Sequence, residues 1–141
     1  MDILLVEDNP ADARLVREAL AESDLTADLH WVSSGEEALS FLRRGTTFEN
    51  APTPDLVLLD LNLPGLRGQE VLCDIKQDPA LLSIPVVVLT SSGARQDVLD
   101  AYAAHANSYV VKPADFDQFL ALVGTIQKYW LTSVLLPTRV G

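Results

Sequence analysis

Carboxylates, hydroxyls and an amine stand in this sequence at the ends of short apolar runs. "DILLV" runs into Glu7-Asp8, and "LVLL" (Leu56 to Leu59) into Asp60, with Asn62 and a Pro-Gly turn just beyond. "IPVVVL" runs into Thr90-Ser91-Ser92, and "SYVV" into Lys112-Pro113. Runs of this kind suit strands buried on both faces, so an ionisable residue at the end of one is held at a rim. If those ends meet, three carboxylates converge, and like charges at close range repel and raise one another's pKa. A cation relieves that repulsion, and carboxylate and water oxygens are what Mg²⁺ prefers. Thr90 and Lys112 add a hydroxyl and an ammonium. The whole set suits a phosphoryl group carried on a carboxylate, its oxygens neutralised by metal and lysine and hydrogen-bonded by threonine.

The elements that must position these groups alternate along the chain. After "DILLV", Asn9 is a good N-cap and Pro10 suits a first helical position, with Leu15, Val16, Ala19 and Leu20 at helical spacing. "ADLHWV" alternates more than it runs, which suits a strand at a sheet edge. "SGEEALSFLRRG" reads as a helix capped by Ser34 and stopped by Gly45. The strand ending at Asp60 follows, then a helix around Gly68 to Lys76, the strand "IPVVVL", a helix near Arg95 to Ala104, the strand "SYVV" and a last helix from Asp115. Such alternation predicts an α/β fold: a flavodoxin-like, doubly wound (βα)5 parallel sheet in the order 2-1-3-4-5. In that order the first and third strands are neighbours, so Glu7, Asp8 and Asp60 share one rim.

The 141 residues suffice for one domain with a core, and the formal net charge of −10 disfavours binding to nucleic acid. No apolar stretch is expected to reach transmembrane length, and "MDILLVEDNP" lacks the basic start of a signal peptide. The single cysteine, Cys73, cannot form an internal disulfide and reads as a packed helical thiol. A cytoplasmic location without membrane contact is the simplest expectation.

Glu7-Asp8, Asp60, Thr90, Tyr109 and Lys112-Pro113, in this order and each at a strand end or on the last strand, resemble the signature of response-regulator receiver domains of two-component signalling. The resemblance spans essentially the whole chain. It implies that Asp60 accepts a phosphoryl group from a phosphohistidine of a sensor histidine kinase. It implies that Asp8, Asp60 and the backbone carbonyl of Asn62 coordinate Mg²⁺, with Glu7 acting through a water. It further implies that Lys112 contacts the phosphoryl group, that the Lys112–Pro113 peptide is cis, and that Thr90 and Tyr109 form the switch. Such a protein is not an enzyme but a phosphoacceptor that assists its own phosphorylation and dephosphorylation. A finer resemblance, in "ILLVEDNPADARLVREAL", "LDLNLP", "HANSYVVKP" and "YWLTSVLLP", is to the small single-domain regulators that partner bacterial and cyanobacterial phytochromes. The segment "GLRGQEVL" is shorter and less basic than its counterpart in many receivers.

Other readings fit less well. Phosphatases of the haloacid-dehalogenase type carry their nucleophile in a D-x-D-x-T run after the first strand, whereas Leu61-Asn62-Leu63 offers no second Asp. A flavodoxin-like cofactor binder needs a phosphate loop where this chain has "EDNPADA", which would repel a phosphate. Trp31 reads as core or edge packing, and His105 as a structural residue at a helix C-terminus.

Phe116, Phe119, Leu120, Val123, Ile126 and Trp130 line one face of the last helix, and Leu122, Tyr129 and Leu131 widen it beyond the stripe one sheet can cover. We therefore expect a receiver domain over residues 1–131 and an extension over 132–141. A homodimer is expected on the fourth helix, fifth strand, fifth helix and the extension, with Tyr129, Trp130, Leu131, Leu135 and Leu136 at the interface. Because few residues follow Trp130, output is expected through protein–protein contact.

Overall fold

In the computed structural model, which describes residues 1–23 and 25–140, the apolar runs become strands and the amphipathic segments helices. The order is β1 (Asp2–Val6), α1 (Pro10–Ala21), β2 (Asp28–Val32), α2 (Gly35–Leu42), β3 (Leu56–Leu59), α3 (Gly68–Gln77), β4 (Val86–Thr90), α4 (Arg95–Ala103), β5 (Ser108–Val111) and α5 (Phe116–Lys128). All strand pairs are parallel, in the expected order β2-β1-β3-β4-β5. Successive side chains of a strand point to opposite faces. Leu4, Val6, Val57, Leu59, Val86 and Val88 therefore meet α2, α3 and α4 on one side, while Ile3, Leu5, Leu56, Leu58, Val87 and Leu89 meet α1 and α5 on the other. Two buried layers explain why β1, β3 and β4 are apolar throughout. β2, at the edge, keeps only Val32 fully buried.

Caps fix where the helices begin. The Asn9 side chain accepts the N–H groups of Ala11 and Asp12, and Pro10 opens α1. Ser34 accepts the Glu37 N–H, and Asp115 accepts that of Gln118. The end of α2 differs from expectation. Arg44, not Gly45, takes the left-handed conformation (φ 52°), and the Gly45 N–H closes on Ser40 O at 2.8 Å. His105 does the same after α4 (φ 73°), with Ala106 N–H on Ala101 O at 3.0 Å, so its place is that of a helix-ending turn residue. Gly68 is required by contact: a Cβ there would lie 2.4 Å from both Asp60 O and Leu61 Cα. Close packing of the start of α3 on the backbone after β3 thus fixes where Asp60 sits.

Beyond α5 the chain makes a π-helical turn (Tyr129–Ser133), runs extended, and ends in a short 3-10 turn (Pro137–Arg139). Phe116–Arg139 as a whole is long and apolar enough by composition to cross a membrane, contrary to expectation. Part of this apolarity serves the chain's own fold: Phe119, Val123, Ile126, Leu131 and Leu136 are buried in its own core layer. Leu131 and Leu136 are therefore not available as the interface residues they were expected to be. The chain turns back after Ser133 and lays Leu136 on the domain, 2% exposed. Tyr129 and Leu135 are exposed and Trp130 half-buried. Gly141, the last residue of the expected extension, lies outside the described residues.

Asp55, just before β3, clasps this tail. Its buried carboxylate accepts the Thr138 hydroxyl, the Arg139 guanidinium at 3.1 and 3.2 Å, and the Asp2 N–H at 2.8 Å. Burial alone would raise its pKa, but these bonds outweigh it and hold the carboxyl below its ordinary value. A depressed folded-state pKa contributes stability above the unfolded value of about 4, lost as pH falls through the lower folded value. Asp55→Asn is expected to lower the unfolding free energy by about 1–3 kcal/mol at pH 7. The loss should shrink as pH falls below about 4, where the carboxylate of the unfolded wild-type chain takes up a proton before that of the folded chain does. Urea melts at pH 7 and pH 3 check both statements.

Candidate functional site

Parallel register brings the strand ends to one rim. Val6 pairs with Val32 and with Leu59, the Asp60 N–H bonds Val6 O at 3.0 Å, and the Lys112 N–H bonds Thr90 O at 2.8 Å. The residues that leave the sheet here are Glu7, Asp8, Asp60, Thr90 and Lys112, as their spacing predicts. Glu7 and Asp60 are buried, Asp8 is exposed, and carboxylate oxygens of the three lie within 4.8 Å of one another.

Each oxygen of Asp60 has partners. Oδ1 accepts the Thr90 hydroxyl and the Asn62 N–H, both at 2.9 Å, and Oδ2 accepts Lys112 Nζ at 2.8 Å. Burial pushes the Asp60 pKa up, but these donors prevail and hold the carboxyl below its usual value, so it is an anion at neutral pH. Glu7 behaves oppositely. Burial and the neighbouring Asp60 outweigh its bond to Lys112, and its pKa is raised to about 7. For Lys112, burial works against the ammonium, but Asp60, Glu7 and Asp12 overcome it and raise its pKa above the ordinary lysine value. Three carboxylates crowded with this much strain on their charge fit a hard divalent cation; the residues offered are all oxygen donors, one of them open to solvent.

Some of the chemistry lies outside the residues singled out from sequence. Asp12, in the first turn of α1, holds Lys112 Nζ at 2.9 Å. Its signal was present, since an acid follows Asp8 after one helical turn, but acids in first turns are common for helix-dipole reasons alone. Trp31 is 41% exposed, and its indole N–H donates to the Glu7 backbone carbonyl at 2.7 Å, more than edge packing. The Tyr109 hydroxyl donates to Ser92 O at 2.7 Å, linking β5 to the loop after Thr90. Ser92 Oγ in turn bonds the Asp97 carboxylate of α4. The Lys112–Pro113 peptide, expected to be cis, is trans, as is every peptide bond among the described residues. Trans is the intrinsically favoured form by about 0.5–1 kcal/mol before proline, and Lys112 reaches its carboxylates from it.

The model of the response regulator receiver domain matches residues 3–124. The chain belongs to that family. It is 46% identical over 135 residues to response regulator Rcp1 of Synechocystis, covering 96% of this chain and 92% of the relative. Among solved receivers it is similar to the Mn²⁺-bound form of Rcp1, with a TM-score of 0.93 at 46% identity over 96% of this chain and 98% of that one. It is equally similar to the phosphorylated cyanobacterial phytochrome response regulator RcpA, with a TM-score of 0.94 at 46% identity over 96% and 97% of the two chains. This receiver is thus homologous to response regulators of phytochrome signalling. Receiver domains bind a divalent metal, and the acidic cluster of Glu7, Asp8 and Asp60 offers oxygen donors for one.

Proposed function

We propose that this receiver takes a phosphoryl group on Asp60 from the phosphohistidine of a phytochrome-type sensor histidine kinase and signals by protein–protein contact. The observation that carries the reading is Asp60 itself: 4% exposed, ionised, and held by Thr90 and Lys112 beside Glu7 and Asp8. In the transfer, an Asp60 oxygen forms the new bond to phosphorus as the phosphorus–nitrogen bond breaks, and the imidazole nitrogen takes a proton from solvent water. Lys112 Nζ turns from the Asp60 carboxylate to a phosphoryl oxygen, and the Thr90 hydroxyl leaves Asp60 Oδ1 for another. Asp8, Asp60 and the Asn62 carbonyl would hold Mg²⁺, with Glu7 acting through a water. Bound there, the cation supplies positive charge against the phosphoryl oxygens. The same groups would assist hydrolysis of the acyl phosphate. Radiolabel transfer from autophosphorylated phytochrome kinases, set beside unrelated histidine kinases, tests the partner: preferential labelling by the phytochrome type is expected, and indifference would reject it.

Output would run through the Tyr109–Ser92 bond. A Thr90 hydroxyl drawn to a phosphoryl oxygen moves the loop that Tyr109 holds, and with it α4. A homodimer on α4, β5 and α5 is the reading of the surface on that side. Leu99, Tyr102, Val111, Tyr129 and Leu135 are exposed there and on the tail, beside a groove of about 360 Å³ lined in part by Val110, Leu122, Ile126 and Trp130. Sedimentation at high micromolar concentration is expected to give a dimer, weakened by Tyr129→Ser with Leu135→Ser. A monomer both with and without acetyl phosphate would count against it. The net charge of −10 favours protein partners over nucleic acid.

A further inference from the structure

An ammonium has three N–H donors, and at Lys112 three carboxylates take them: Glu7 at 2.5 Å, Asp60 at 2.8 Å and Asp12 at 2.9 Å. Glu7 and Asp60 belong to the acidic cluster a cation would occupy; Asp12 does not. It stands on α1, its side chain 26% exposed against 7% for that of Lys112. Both residues line a cleft of about 540 Å³ between the start of α1 and the segment from Lys112 to Phe119. A cation among Glu7, Asp8 and Asp60 would draw on the oxygens that now hold the ammonium, and would repel the ammonium directly. Asp12 is then the carboxylate still available to it.

We infer that Asp12 is a positioning residue that holds the Lys112 ammonium on the cleft side of the acidic cluster, so that cation and lysine can occupy the site together. The inference rests on the reading of Glu7, Asp8 and Asp60 as a cation site. Without Asp12, the ammonium falls back wholly onto Glu7 and Asp60 and competes with the cation for them. Two simpler roles would not involve Lys112: an acid favoured at a helix N-terminus, and one more negative charge attracting any cation.

A cycle of variants separates these roles. Mg²⁺ affinity is measured by calorimetry on the full chain as wild type, Asp12→Asn, Lys112→Ala and the double variant, with circular dichroism to verify folding. Asp12→Asn is expected to weaken Mg²⁺ binding by about threefold or more, the scale of one partly exposed ion pair. In the Lys112→Ala background the same change should alter affinity by less than about twofold, since no ammonium remains to be held. Asp12→Glu, which keeps the carboxylate, should stay near wild type. Equal weakening in both backgrounds would overturn the inference and leave only the charge effect, and so would no weakening in the wild-type background. A wild-type chain that binds no Mg²⁺ would remove the cation site itself, and the inference with it.

Discussion

Replacing Asp60 by asparagine will abolish labelling by acetyl phosphate. The amide keeps the shape of the side chain but lacks the anionic oxygen that attacks phosphorus. Asp8 and Glu7 do not replace it. Asp8 is exposed and has neither Thr90 nor Lys112 on it, and the oxygens of Glu7 are turned to Lys112 and to the Asn9 N–H. The loss should be complete on intact-mass measurement, not partial, because a single acceptor is involved. Chelation by EDTA should have the same effect on the wild-type chain, since the acidic cluster without a cation repels an anionic donor. A normally labelled Asp60→Asn chain would end the assignment.

Lys112→Ala will separate stability from metal binding. The lysine head is 7% exposed and is the cation shared by Glu7, Asp60 and Asp12. Removing one partner of buried, hydrogen-bonded charges costs about 3–5 kcal/mol, so the metal-free variant should melt well below the wild type. Mg²⁺ binds the folded state and stabilises it by mass action. With the competing ammonium gone, it should bind at least as tightly as in the wild type and raise the melting temperature by more. The phosphorylated variant should still transmit poorly, because no amine remains for the phosphoryl oxygen. Markedly weaker Mg²⁺ binding in calorimetry would mean that Lys112 does not compete at this site.

The sheet and its rim were legible because burial on both faces writes itself as unbroken apolar runs. Leu56 to Leu59 suit a central strand, and the charge that follows them stands at its end. Thr90 and Tyr109 were singled out as a switch through resemblance, but the Tyr109–Ser92 bond needed the fold, since it joins β5 to a loop that the sequence keeps 17 residues away. Asp12 and Asp55 were missed for a shared reason. Each looks like an ordinary surface acid in sequence, and only chain reversal brings Lys112 or Arg139 to it from 100 and 84 residues away. Two residues of the tail were misplaced in another way. Its apolarity was read as a surface for a second subunit, whereas Leu131 and Leu136 serve the core of their own chain. Composition records how much apolar surface must be hidden, not which molecule hides it.

An acyl phosphate on Asp60 is the claim on which the function rests, and borohydride trapping addresses it most directly. The reagent reduces an aspartyl phosphate to homoserine and leaves phosphoesters untouched. After incubation with acetyl phosphate and Mg²⁺, reduction and peptide mass spectrometry should find the conversion at Asp60 alone, and none in a sample kept in EDTA. Conversion at Asp8 or Glu7 with Asp60 intact, or a phosphate that survives reduction on Thr90 or a serine, would contradict it.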